Sequence, residues 1–223
     1  MKYKALFFDG IDDYVDCGND ESLDITDEIT IEAWVNRRGN SGDQHNVIIR
    51  KSETYEIVVQ ESDRRVWWAL NTANYWTINL TGYYLPNNDW HHLVLAYHKD
   101  NGGGLYVDGE VVQPIAADGP ISPSGYNLGI GDNLENLGGW NFKGIIDEVR
   151  IYSRALSEEE IKRSYYHQPI LDGLVLWLLP QREFMPIKGT WWDRSGKRNH
   201  GTIHGATPST EEFHLPPLRV LKV

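Results

Sequence analysis

Short alternating runs separated by turn residues recur along the chain, and that rhythm constrains its fold more than any other feature. Thr30-Ile31-Glu32-Ala33-Trp34-Val35-Asn36 sets Ile31, Ala33 and Val35 on one face and Glu32, Trp34 and Asn36 on the other, the two-residue period of a strand. Residues 46–51, 55–60, 65–71 and 91–98 repeat it, broken by Ser52-Glu53 and by Glu61-Ser62-Asp63. Asp108-Gly109 lies between Leu105-Tyr106-Val107 and Glu110-Val111-Val112, a strong hairpin signal. Further runs fall at 3–8, 13–17, 126–131 and 142–152. So many short strands imply an all-β, two-sheet antiparallel sandwich or barrel.

One segment departs from the pattern. Ser157-Glu158-Glu159-Glu160 forms a capping box ahead of Ile161, which predicts one short helix over 158–166. Its acidic first turn suits the positive end of the helix dipole.

Composition narrows the function. With 32 acidic and 21 basic residues the net charge is -11, which disfavours nucleic acid as a partner, because such binding neutralises phosphates with Lys and Arg. At 223 residues one large domain or two small ones are possible. Cys17 is the sole cysteine, so neither an internal disulfide nor a cysteine zinc site can form. No run approaches the roughly 18 apolar residues that span a bilayer, so membrane insertion is not expected. The apolar stretch near Met1 is too short for a signal peptide. Expected locations are an extracellular surface or a virion, with export by that signal not indicated.

Several landmarks together resemble a known family. Leu6-Phe7-Phe8-Asp9-Gly10-Ile11-Asp12-Asp13-Tyr14-Val15 and Ile29 to Val35 resemble the opening of LamG-like, concanavalin A-type lectin and glucanase jelly rolls. Trp90-His91-His92-Leu93-Val94-Leu95, Leu105 to Gly109 and Gly144 to Ser157 resemble later landmarks in the same order. The resemblance covers residues 3–166. It implies a two-sheet jelly roll that binds carbohydrate or protein and often holds calcium.

The chain accordingly divides into a core at 1–166, further strands at 167–207 and an extended tail at 208–223. Leu174 to Leu178 and Asp193 to Ile203 resemble what normally precedes the Phe-Asp-Gly segment in this family. A circular permutation, a truncated second copy or a strand swap would each place them here. Intramolecular completion is favoured, since otherwise Leu174 to Leu178 would present an unpaired apolar edge. The tail, with Pro216-Pro217 and apolar Leu218 to Val223, reads either as an edge strand or as a strand offered to a partner.

Catalysis finds little support. The Glu-x-Asp-x-x-Glu strand of the family's glucanases does not occur, and Asp147 and Glu148 are expected on opposite faces. Glu56 and Glu61 flank a strand without a middle aspartate. The chain is therefore expected not to be an enzyme.

Asp9, Asp12 and Asp13 crowd one turn, and by resemblance Asp147 lies beside it. These four are the candidate calcium ligands, the metal being structural. The alternative is that they serve as Asx-turns and a strand cap. Neither His91-His92 nor His200 and His204 are spaced to share one ion along a strand.

Aromatic doublets supply the candidate ligand site. In Trp67-Trp68, Tyr75-Trp76 and Tyr83-Tyr84 one ring faces the core and the other faces out. Trp68, Tyr75, Trp76 and Trp140 are expected to stack on sugar rings, with Asn71, Asn74 and Asp132 as polar partners. Two functions remain open. One is a non-catalytic glycan-binding or adhesion module; the other is a structural or decoration protein that makes protein contacts, with a homo-oligomer among the expected partners.

Overall fold

The computed structural model describes residues 3–72, 76–179, 181–182, 189–209 and 211. Strands β1 (Tyr3–Lys4), β2 (Leu6–Asp9), β3 (Tyr14–Asp16) and β4 (Glu28–Arg37) open the chain. Then come β5 (His45–Lys51), β6 (Tyr55–Gln60), β7 (Arg65–Asn71), β8 (Trp76–Tyr84), β9 (Trp90–His98), β10 (Gly102–Val107) and β11 (Glu110–Ile115). β12 (Leu128–Ile130) and β13 (Lys143–Tyr152) precede helix α1 (Glu158–Tyr165). β14 (Leu174–Leu178), β15 (Gln181–Arg182), β16 (Thr190–Trp191), β17 (Gly201–His204) and β18 (Thr207–Pro208) follow it.

Two antiparallel sheets form the jelly-roll sandwich. The first runs β11-β10-β9-β4-β13-β2-β18, with β14 also on β13; the second runs β16-β17-β3-β12-β5-β6-β7-β8. Ile31, Ala33 and Val35 enter the shared core from β4, and Ile57, Val59, Val66, Trp68 and Leu70 enter it from β6 and β7. The Asp108-Gly109 hairpin forms between β10 and β11, with positive φ at both residues (53° and 82°), as a type I′ turn requires.

The strands after α1 take places within the same two sheets. β2 pairs with Lys143–Ile146 on one edge of β13, and β14 continues along that edge at Val149–Tyr152. β17 pairs with β3, while Leu176, Leu178 and Trp191 are buried in the core. The final segment thus completes the sandwich begun by the first. Of the expected tail only Pro208, Ser209 and Glu211 are among the described residues; Pro216-Pro217 and Leu218 to Val223 lie outside them.

Helix α1 carries the expected capping box, with Ser157 and Glu160 each bonding the other's backbone N–H. It covers the outer face of the first sheet through Ile161, which packs with Val94, Ala96, Tyr106, Tyr152 and Leu174. Beneath it Arg150 donates to Glu32 at 2.6 Å, and Ser164 and Tyr152 donate to the same carboxylate. Among the described residues no helix is long and apolar enough to cross a membrane.

Alternation fails in β13. Ile146 and Val149 both enter the core, so Asp147 and Glu148 form a bulge between them, with Glu148 at φ 45°. Asp147 stands opposite Trp34 in the ladder, and Glu148 accepts from Arg150 at 2.6 Å. The two carboxylates therefore share the helix-covered side, correcting the expectation of opposite faces.

Candidate functional site

The outer face of the second sheet has a loop over it instead of a helix. Val47, Val58, Trp67 and Ala69 point outward from β5, β6 and β7 and pack with Trp140 of the loop between β12 and β13. The Trp67 and Trp140 rings lie 6.2 Å apart, and His45 sits 4.6 Å from Trp140 and 5.4 Å from Trp67. Arg50 places its guanidinium carbon 4.6 Å above the Trp140 ring and pairs with Glu56.

Asp132 fixes this loop. Its carboxylate, fully buried, accepts the backbone N–H groups of Asn133 (2.7 Å), Gly138 (2.8 Å) and Trp140 (3.2 Å). Val47 N–H donates to the Trp140 carbonyl at 2.9 Å, stitching the loop to β5. Asp43 then accepts from Asn141 N–H at 2.8 Å. Trp140 is thereby held with its ring half-buried on the sheet.

Electrostatically the face is under-satisfied. Trp67 Nε1, His45 Nδ1 and Glu56 Oε1 are buried with no hydrogen-bond partner among the described residues. Burial, reinforced by Arg50, lowers the His45 pKa and favours the neutral ring. Burial pushes Glu56 up to about 7, outweighing the pull of Arg50. Arg50 uses Nε on Ser52 and Nη1 on Glu56, leaving Nη2 without a partner among the described residues.

Among the described residues, Trp68, Asn71, Asp132 and Trp140 do not form one cluster. Trp140 lies on the outer face, as does Asn71, whose amide donates to the Glu53 carbonyl at 2.7 Å. Trp76 stands opposite Asn71 in the β7–β8 ladder, while Asn74 and Tyr75 lie outside the described residues. Two assignments are corrected. Trp68 points into the core, its Nε1 donating to Gln113 at 3.2 Å, and Trp67 is the outward ring of the doublet. Asp132 is spent on loop N–H groups and offers no free polar edge to a ligand. His45, Arg50, Glu56 and Trp67 were missed. The signal for Trp67 was present, since Arg65, Trp67, Ala69 and Asn71 form the more polar side of β7.

For a cation, Asp9, Asp12 and Asp13 each bring an oxygen within 4.8 Å of the others, a spacing that fits the shell of one calcium ion. The tight turn needs Gly10, at φ 82°, where an added Cβ would lie 2.7 Å from Lys143 Cβ. Burial raises the Asp13 pKa, and the charges of Asp9 and Asp12 add to it. Asp13 also accepts the Asp9 N–H, and Asp9 accepts the Ile11 N–H, so the Asx-turn geometry is present as well. Asp147 does not join them. It is buried beneath the helix side of β13, four residues along the strand from the Lys143 that pairs with Asp9.

Sheet order and core are those of a lectin-type jelly roll. Residues 9–162 match the family model described as the concanavalin A-like lectin/glucanases superfamily, and the chain belongs to that family. No curated protein matches the chain. Among solved structures, a proposed carbohydrate-binding protein from Bacteroides ovatus is similar at TM-score 0.75 and 20% identity, covering 96% of this chain and 62% of that one. The chain thus spans under two thirds of that relative's length. The binding domain of Paraclostridial Mosquitocidal Protein 1 is similar at TM-score 0.56 and 16% identity, over 67% of this chain and 40% of that one. The IT-sialidase CBM40 of Ruminococcus gnavus, solved with α2,3-sialyllactose, gives TM-score 0.54 and 14% identity, over 65% and 85%. At these identities the likeness is one of fold.

Proposed function

We propose that the chain is a non-catalytic carbohydrate-binding module whose glycan lies against Trp140 on the outer face of the second sheet. The observation that carries this reading is the clamped, half-buried Trp140 ring beside Arg50, on a face that helix α1 does not cover. An indole offers an apolar plane to the C–H face of a pyranose, while a few placed polar groups fix its orientation. Arg50 Nη2 supplies donors for hydroxyls. A small opening of the loop would let ligand hydroxyls reach Trp67 Nε1 and His45 Nδ1. The sialyllactose solved with one similar fold, and the carbohydrate-binding description of another, support a glycan partner at the level of fold.

Calcium belongs to the same reading. Asp9, Asp12 and Asp13 would hold the ion, which would supply positive charge that relieves their mutual repulsion and ties the β2–β3 turn together.

Glycan-array screening of the full chain, repeated with Trp140→Ala, tests the proposal. Binding lost in the variant supports it. A stable oligomer that buries Trp140 between copies, with no glycan bound, would favour a protein-contact role instead.

A further inference from the structure

We propose a second binding site, for an organic ammonium group, in the cavity between the loops that flank β12. The cavity measures about 330 Å³ and opens on the outer face of the second sheet. That volume is at the small end of ligand pockets, so the occupant is a small group. Tyr14 and Asp16 form one wall, because Val15 between them turns into the core. Tyr126 and Asn127 form a second wall and Glu135 and Leu137 a third.

Two features select the ligand. The first is charge. Among the described residues two carboxylates line the cavity, and neither Lys nor Arg does. Among the described residues Asp16 accepts only from neutral donors, the Asn127 amide at 3.1 Å and the Gly18 N–H at 2.8 Å. Arg50 and Lys51 act on Glu135 through space, yet neither lines the cavity. A cation is therefore favoured over a neutral or anionic occupant.

The second feature is the apolar surface around that charge. Tyr126 is 40% exposed and Leu137 54%, unusual for large apolar side chains facing one small cavity. The Tyr14 ring is fixed by stacking on His204 at 4.3 Å. The Tyr126 loop is fixed from below by buried Lys51, which donates to the carbonyls of Ser124 and Tyr126. Aromatic rings attract a cation through their faces, and an alkylated or ring-borne ammonium sheds its water more readily than a metal ion. The loop approaches closely because β12 carries Gly129, where an added Cβ would lie 2.8 Å from Leu134 Cγ.

The test compares charged and neutral ligands of like shape on the full chain, by NMR chemical-shift titration. Tetramethylammonium is set against tert-butanol, and glucosamine against N-acetylglucosamine. The charged member of at least one pair should bind saturably and at least about tenfold more tightly than its neutral counterpart, a difference of about 1.4 kcal/mol. Which pair responds tells whether the ammonium arrives on an alkyl group or on a sugar. Tyr126→Ala and Asp16→Asn should each weaken that binding several-fold, while Tyr126→Phe should retain it. Equal binding of charged and neutral members in both pairs, or binding unchanged in Tyr126→Ala, would overturn the proposal. Because the Tyr126 and Asp16 variants are separate from Trp140→Ala, and a sugar probe held at Trp140 would respond to Trp140→Ala and not to Tyr126→Ala, failure here is separate from failure of the glycan reading.

Discussion

Arg50 lies over the ring of Trp140 and at the same time pairs with Glu56, whose second oxygen is buried without a partner among the described residues. The pair couples the proposed sugar platform to a carboxyl that titrates near neutrality. Burial raises Glu56 from 4.5 to about 7 in the folded chain. Between those values the folded state holds a proton that the unfolded state has released. The stability from the protonated form is therefore complete below about pH 4.5 and falls as pH rises to about 7. Urea denaturation across this window should show Glu56→Gln falling less than the parent, by on the order of 3 kcal/mol. Parallel curves for the two proteins would refute the assignment.

Asp132 should matter through the loop it holds. Asp132→Ala leaves three backbone N–H groups without their acceptor, at a cost of about 2 kcal/mol in stability. Amide exchange should then quicken across residues 133–140 and stay unchanged in β9, in the opposite sheet. Glycan affinity should drop as well, since Trp140 loses its clamp. Exchange unchanged in the loop would show that Asp132 does not hold it.

The buried pair under α1 makes a different prediction. Burial opposes the charge on Glu32, but Arg150 and His92 more than offset it and hold the carboxyl down at about 2. Arg150→Met strands that carboxylate and should cost about 3–5 kcal/mol, with part regained in the Glu32→Gln/Arg150→Met double variant. Thermal melts of the single and double variants measure this; a double variant no more stable than the single would contradict it.

Much of this architecture was legible in the sequence. Asp108-Gly109 and the Ser157 box are local signals, and local backbone chemistry decides them. Completion by the C-terminal strands followed from the apolar Leu174 to Leu178 run, which needed a partner. What failed was set by phase and tertiary context. One residue of phase separates Trp67, buried on the outer face beneath Trp140, from Trp68 in the core, and the choice missed the polar bias of Arg65 and Asn71. The bulge at Asp147-Glu148 has no local marker, because Glu148 takes a positive φ that few side chains favour. Asp132 looked like a surface acid, and only the folded loop shows that its carboxylate replaces missing backbone acceptors.

Calcium can be tested by stability alone. If Asp9, Asp12 and Asp13 bind the ion, saturating calcium at about 100 times its Kd should add about 2.7 kcal/mol, and EGTA should reverse it. Asp12→Asn should reduce the gain, whereas Asp147→Asn should leave the calcium dependence intact. A melting temperature indifferent to both calcium and EGTA would remove the ion from the account.

The most direct measurement is calorimetric titration of array-selected glycan into the parent chain and into Trp140→Ala, with melting curves run alongside. Loss of at least about tenfold in affinity, with folding preserved, is the predicted result. Equal affinity in the two proteins, or no glycan bound by the parent at all, would contradict a sugar platform at Trp140.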